Sequence, residues 1–148
     1  MMQRSATLDD VDAITALDER SFPPRERWSR QLWADELSSD DRFVLVAADH
    51  TGHLVGVATF QLGDEVIDLN RVMVEARWRR MGVARDLMRS GFLYASTHGC
   101  SRMLLEVRDD NDTAIALYEQ FGFRVIDTRK NYYGQGLDAL VMEQEVTA

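Results

Sequence analysis

The chain has 148 residues, 45% of them hydrophobic, with a single cysteine, Cys100. That suits one domain spanning residues 1–148 with one real core; a lone cysteine excludes an internal disulfide, and no apolar run approaches the ~20 residues that cross a bilayer. The formal net charge of −8 argues against a nucleic-acid partner, which needs a basic face, and fits a cationic or amine ligand.

In chain order, the start Met1–Asp10 has no apolar signal-peptide region, which points to a cytoplasmic protein without a membrane partner. Gln3 to Ala6 reads as a short strand. Thr7-Leu8-Asp9-Asp10 then opens a helix whose stripe is Val11, Ile14 and Leu17 and which reaches about Arg20. Pro23-Pro24 marks a loop. Ser29 can cap a second helix in which Leu32, Trp33 and Leu37 share a face, ending in the polar run Ser38 to Asp41. Phe43 to Ala48 and Leu54 to Leu62 are strands around the hairpin Asp49-His50-Thr51-Gly52, and Gly63-Asp64 turns the chain into a third, Val66 to Val74.

A long helix follows from about Gly82 to His98 and crosses over to a strand, Met103 to Val107, parallel to its predecessor. Asp112 to Gln120 is helical and stops at Gly122. Phe123 to Thr128 and Ala139 to Glu145 close the sheet as an antiparallel pair. The predicted fold is mixed α/β (α+β), a mostly antiparallel twisted sheet of roughly six to seven strands flanked by about four helices. A homodimer through a sheet edge is compatible with it.

Three constellations carry chemistry. Arg77 to Arg85 sets arginines against Gly82 where a strand gives way to a helix, and Arg77, Arg79, Arg80, Arg85 and Arg89 hold five of the 17 basic residues. Unpaired N–H groups of a first helical turn bind anions, although arginine clusters are also simply solvated helix faces. Glu106 interrupts the apolar run Leu104 to Val107. Partial burial there would raise its pKa toward general-base use; the alternative is a strand-end Glu facing water or paired with an Arg. Tyr118 shares a helical face with Ala114 and Leu117, and is either a core aromatic or an acid brought to the same end of the sheet as Glu106. His50, His53 and His98 are scattered and match no zinc spacing, so no metal is expected. The phosphate-loop and dinucleotide glycine patterns are absent.

These residues resemble the GCN5-related N-acetyltransferase (GNAT) superfamily and, within it, the RimI-type ribosomal-protein alanine N-acetyltransferases. Arg79-Arg80-Met81-Gly82-Val83-Ala84 matches the superfamily's acetyl-CoA pyrophosphate loop. Leu105-Glu106-Val107-Arg108, Asn111, Ala114 to Glu119, Gly122-Phe123 and Arg129-Lys130-Asn131-Tyr132-Tyr133 follow the RimI pattern. The C-terminal half matches closely, the N-terminal half mainly in element order.

The resemblance implies acetyl-CoA as cofactor, with Val72, Met73 and Val74 pairing the pantetheine arm and an N–H near Val74 stabilising the oxyanion. It implies that Arg79, Arg80, Met81, Gly82, Val83, Ala84 and Arg85 hold the pyrophosphate and that Asn111 contacts the arm. Glu106, directly or through water, would take the acceptor's proton, Tyr118 would protonate the departing thiolate, and Tyr132 and Tyr133 would contact the acceptor. Cys100 is read as structural. Three departures bear on the acceptor: only Gly134-Gln135-Gly136-Leu137 separates Tyr133 from Asp138, Arg27 precedes Trp28-Ser29, and Arg71 stands where the family is apolar or small. The expected acceptor is a protein or peptide N-terminus by direct attack in a ternary complex. A small-molecule amine is the alternative, and a non-catalytic acyl-CoA-binding module the third reading.

Overall fold

A computed structural model describes residues 1–147. Strands β1 (Met2–Ser5), β2 (Arg42–Ala48), β3 (Leu54–Leu62), β4 (Val66–Val74), β5 (Arg102–Arg108), β6 (Arg124–Gly134) and β7 (Leu137–Glu145) form one seven-stranded sheet in the order β1-β2-β3-β4-β5-β7-β6. Only β4 and β5 pair in parallel. Helices α1 (Val11–Ser21), α2 (Arg30–Ser38), α3 (Val83–Thr97) and α4 (Asp112–Phe121) cover its two faces. The mixed, mostly antiparallel architecture is the one expected from hydrophobic periodicity.

The apolar alternation of the strands divides the core. On one face Val11, Ile14, Leu17 and Trp33, from α1 and α2, meet Val46, Val57 and Met73. On the other, Val83, Leu87, Met88 and Tyr118, from α3 and α4, meet Phe60, Leu69, Leu105 and Val107. At Gly91, α3 lies directly on the sheet: a Cβ there would fall 2.2 Å from Cζ of the fully buried Phe60. We expect Gly91→Ala to cost about 1–3 kcal/mol through overpacking, which thermal and urea denaturation would register. An unchanged midpoint would show that the ring can give way.

Several local expectations are corrected. Leu32 is 48% exposed, whereas the α2 positions that turn inward are Trp33 and Glu36. Burial of Glu36 is tolerated because Arg42, Thr59 and Asn70 all donate to its carboxylate, at 2.9, 2.7 and 2.9 Å. Leu8–Asp10 forms a separate 3-10 turn before α1, with Thr7 at its N-cap and the Thr7 N–H bonded to the Asp10 carboxylate. A second 3-10 turn, Pro24–Glu26, occupies the Pro-Pro loop. β6 runs on to Gly134 instead of ending near Thr128, because a register break with Asn131 at φ 56° lets the strand resume beside β7.

One irregularity creates the site. β4 is in register with β5 only from Val66 to Leu69, opposite Arg102 to Leu105. A bulge at Asn70 interrupts its pairing with β3, which resumes at Arg71. Beyond that point β4 follows β3 and β5 follows β7, so the sheet opens between Arg71–Val74 and Glu106–Arg108.

Candidate active site

The opening gives β4 an unpaired edge whose direction follows from its hydrogen bonds. The Glu75 N–H bonds the Val55 carbonyl at 2.8 Å, in a register that sets Met73 against Val57 and Val74 against Gly56. Bonding alternates along an antiparallel pair. Met73 and Glu75 therefore turn their peptide groups to β3, and Val72 and Val74 turn theirs to the open edge. Consistently, the Val74 carbonyl accepts from Arg79 Nε at 3.2 Å.

A cleft of about 970 Å³ occupies this opening. Among the residues singled out from sequence, its walls contain Val72, Met73, Val74, Arg79, Arg80, Gly82, Val83, Ala84, Arg85, Asn111 and Tyr118. Ser21 and Phe22 at the end of α1 also line it, so the cleft passes through the sheet from the α3–α4 face to the α1–α2 face. Met81 is not on the wall and is 62% exposed. Glu106, Tyr132 and Tyr133 also lie off the wall.

The loop entering α3 is built for an anion. Arg80 and Gly82 both have positive φ, 65° and 84°. The first bond closing the helix is Asp86 N–H to the Gly82 carbonyl, 2.9 Å, which leaves the Val83, Ala84 and Arg85 N–H groups ahead of it without helical acceptors. A Cβ built on Gly82 meets nothing within 4 Å, so the main chain lies open to the cleft. Fifteen residues of helix put the positive end of their dipole here, beside three arginines. This cradle fits a pyrophosphate, and the exposed edge of β4 fits an amide-bearing arm.

Tyr118 is 8% exposed, and burial, with Tyr133 nearby and Arg71 partly opposing, pushes its phenol up to about 12. It is both a core aromatic, edge-on to Phe123, and a wall of the cleft. Of the two readings of Glu106, partial burial among Leu and Val is overturned and the one facing water beside an Arg agrees with the structure. Met103, Leu105 and Val107 enter the α3–α4 core, so alternation turns Glu106 to the other face, where it is exposed and 3.4 Å from Arg129. Tyr118 and Glu106 thus approach the opening from opposite faces. Tyr133 is half-buried: burial first, then the Glu106, Tyr132 and Glu26 charges, raise its pKa while Arg71 lowers it.

Sequence reasoning passed over part of the wall. Trp78, Ala114 and Leu117 line the cleft with Phe22. Trp78, an aromatic inside an arginine run, and the shared face of Ala114, Leu117 and Tyr118 were available signals. Asn111 caps α4, accepting from the Ala114 N–H at 3.2 Å. Cys100 is buried, which raises its thiol pKa, and its Sγ lies 3.7 Å from the Gly63 carbonyl.

Comparison with known proteins agrees with this geometry. The profile of the Acetyltransferase (GNAT) family matches residues 11–123. The Escherichia coli [ribosomal protein bS18]-alanine N-acetyltransferase is 29% identical over 126 residues, covering 84% of this chain and 81% of its own. Its crystal structure superposes with a TM-score of 0.89 at 24% identity, over 99% of this chain and 94% of that one. An aminoglycoside 6'-N-acetyltransferase complexed with coenzyme A superposes with a TM-score of 0.88 at 16% identity, over 100% and 98% of the two chains. A GNAT-type sheet, an anion cradle at α3 and a family match across most of the chain converge: this chain belongs to the GNAT family of acetyltransferases and is an N-acetyltransferase that uses acetyl-CoA.

Proposed function

We propose that the protein acetylates the N-terminal α-amine of a protein or peptide by direct attack in a ternary complex. The observation that carries this reading is the passage through the sheet, with the anion cradle and Tyr118 on the α3–α4 side and Glu106 turned to the other face. Donor and acceptor can then meet in the opening from opposite sides, with no covalent enzyme intermediate. Acetyl-CoA supplies the activated acyl group when bound. Arg79 to Arg85 would hold its pyrophosphate, with Met81 contributing backbone only; Val72 and Val74 on the open β4 edge would pair its arm, Met73 would only line it because its peptide group is bonded to β3, and Asn111 would contact that arm. The Val74 N–H, turned to the open edge, would polarise the thioester carbonyl.

An amine attacks only when unprotonated. An α-amine has a pKa of about 7.7–8.0 against about 10.4 for a lysine, so an exposed carboxylate such as Glu106 suffices for the first. The similarity to a bS18 alanine N-acetyltransferase supports the same acceptor class. A small amine is the second reading, favoured by the tight β6–β7 turn at Gln135-Gly136, which leaves Tyr132 54% exposed and the acceptor face open.

Thiol release from acetyl-CoA with a panel of N-terminal peptides, polyamines and aminoglycosides tests the assignment. Turnover of peptides supports it, and turnover of polyamines alone overturns it. For the cradle, we expect Gly82→Asp to weaken coenzyme A binding at least about tenfold by setting a like charge at the helix N-terminus. Asp tolerates positive φ, so the fold should persist. Calorimetric titration would measure the loss, and unchanged affinity would remove the pyrophosphate from this loop.

A further inference from the structure

The turn Pro24–Glu26 does more than connect α1 to α2. The Glu26 carbonyl accepts from Arg71 Nη2 at 2.8 Å, and its carboxylate Oε2 accepts from Arg108 Nη1 at 3.0 Å. Arg71 belongs to β4 and Arg108 to β5, the two strands that part to make the site. Glu26 therefore straps the mouth of the opening on the acceptor face, tied to each lip by a different guanidinium.

The strap is held in place from several directions. Arg71 stacks on Phe22 and Trp28, 3.9 and 4.7 Å from their ring centres, and pairs with the fully buried Asp18 at 2.9 Å. Asp18 in turn accepts the Trp28 N–H at 3.1 Å, and Arg27 Nε donates to the Phe22 carbonyl at 2.9 Å. The Glu26 side chain is nevertheless 24% exposed, and among the described residues only Arg108 binds its carboxylate, through one oxygen. Its charge and that of Glu106 both act on the Tyr133 phenol. Glu106 is the group assigned to the reacting amine. Glu26 is a second anion held at the same lip, because Arg108, which binds its carboxylate, lies two residues from Glu106 on β5 and so on the same face of the strand.

We propose that Glu26 determines acceptor specificity by receiving a second cationic group, so that preferred acceptors carry a positive charge close to the amine that is acetylated: a peptide N-terminus followed by Lys or Arg, or a short diamine. A preorganised, partly desolvated carboxylate bonds a cation more strongly than one that must be ordered on binding.

This rests on the acetyl-transfer reading of the cleft, and the experiment separates the two. Thiol release would be measured for peptides starting Ala-Lys against Ala-norleucine, and for 1,3-diaminopropane against propylamine, with wild type, Glu26→Gln and Glu106→Gln. Glu26→Gln keeps an acceptor for Arg108 and removes the charge. We expect wild type to favour the dicationic member of the productive pair by about tenfold in kcat/KM. Glu26→Gln should lose that preference through KM with kcat retained, while Glu106→Gln lowers both members equally. Equal wild-type use of lysine and norleucine peptides, or a preference that survives Glu26→Gln, overturns the proposal. Silence on both peptides with a Glu26-dependent preference for the diamine would sink the N-terminal reading and leave the Glu26 assignment standing.

Discussion

Replacing Arg71 with Met should destabilise the protein by about 3–5 kcal/mol, the cost of leaving one member of a buried ion pair alone. Asp18 is 0% exposed and accepts from Arg71 at 2.9 Å and from the Trp33 indole at 3.0 Å. Without Arg71 its charge has only neutral donors, and the Glu26 carbonyl also loses a partner. For a domain of this length each kcal/mol shifts the melting temperature by roughly 2–4 °C, so a fall of about 10 °C is expected by calorimetry. Arg71→Lys should lie between wild type and Arg71→Met, since an ammonium keeps the charge but not the planar fork that bonds Asp18 and Glu26 while stacking on Phe22 and Trp28. Asp18→Asn combined with Arg71→Met should recover part of the loss by removing the orphaned charge. It cannot recover all of it, because one face of the amide would set N–H against N–H at Trp33 or Trp28. A fall of 2 °C or less in Arg71→Met would show that the pair contributes no more than a surface bridge. At temperatures where the variant stays folded, the loosened strap should raise the acceptor KM and leave coenzyme A affinity unchanged.

The same pair shows where sequence reading stops. Arg71 is visible as an oddity in an apolar strand, but its partner lies 53 residues earlier in the helical stripe of α1. Nothing local to either residue joins them. By contrast, element order and the anion cradle were legible because they rest on local rules: period-2 and period-3.6 patterns, Ser29 accepting the Leu32 N–H as a cap, and glycine at the positive-φ start of α3. Glu106 was left between two readings although its strand was right, and the structure takes the one facing water beside an arginine. Flanking Leu and Val suggested a common burial as one of the two, and strict alternation decides against it by sending Met103, Leu105 and Val107 to one face and Glu106 to the other. Leu32 failed similarly, since adjacent helical positions differ by about 100° and Trp33 took the inward place. The opening itself was not legible, because a bulge at Asn70 is a matter of register between strands and leaves no signature in composition.

Tyr118→Phe should lower kcat by about 10²-fold or more, within the range that a positioned proton donor contributes, while the melting temperature stays near wild type because the ring keeps its packing against Phe123. The physical question is what the hydroxyl donates. Burial pushes the phenol up to about 12, against about 8.5 for an ordinary thiol, so complete transfer to the departing sulfur is uphill by about 3.5 pH units, or roughly 5 kcal/mol. On the proposed assignment, Tyr118 would act best as a hydrogen-bond donor that stabilises negative charge on the sulfur as it leaves, with the net proton coming from the amine that has attacked. The pH dependence follows in sign. A phenol with a raised pKa keeps its proton, and its donor function, throughout pH 6–10 and loses it only as pH rises toward 12. The rate should rise with pH as the acceptor amine deprotonates near about 8 and then level off. Tyr118→Phe should lower that plateau without moving the midpoint. Glu106→Gln should instead depress the low-pH limb most, where the acceptor arrives protonated and its proton must be taken up. Wild-type turnover by Tyr118→Phe, or an alkaline decline below pH 10 that vanishes in that variant, would remove Tyr118 from the leaving-group step and leave it as a wall of the cleft.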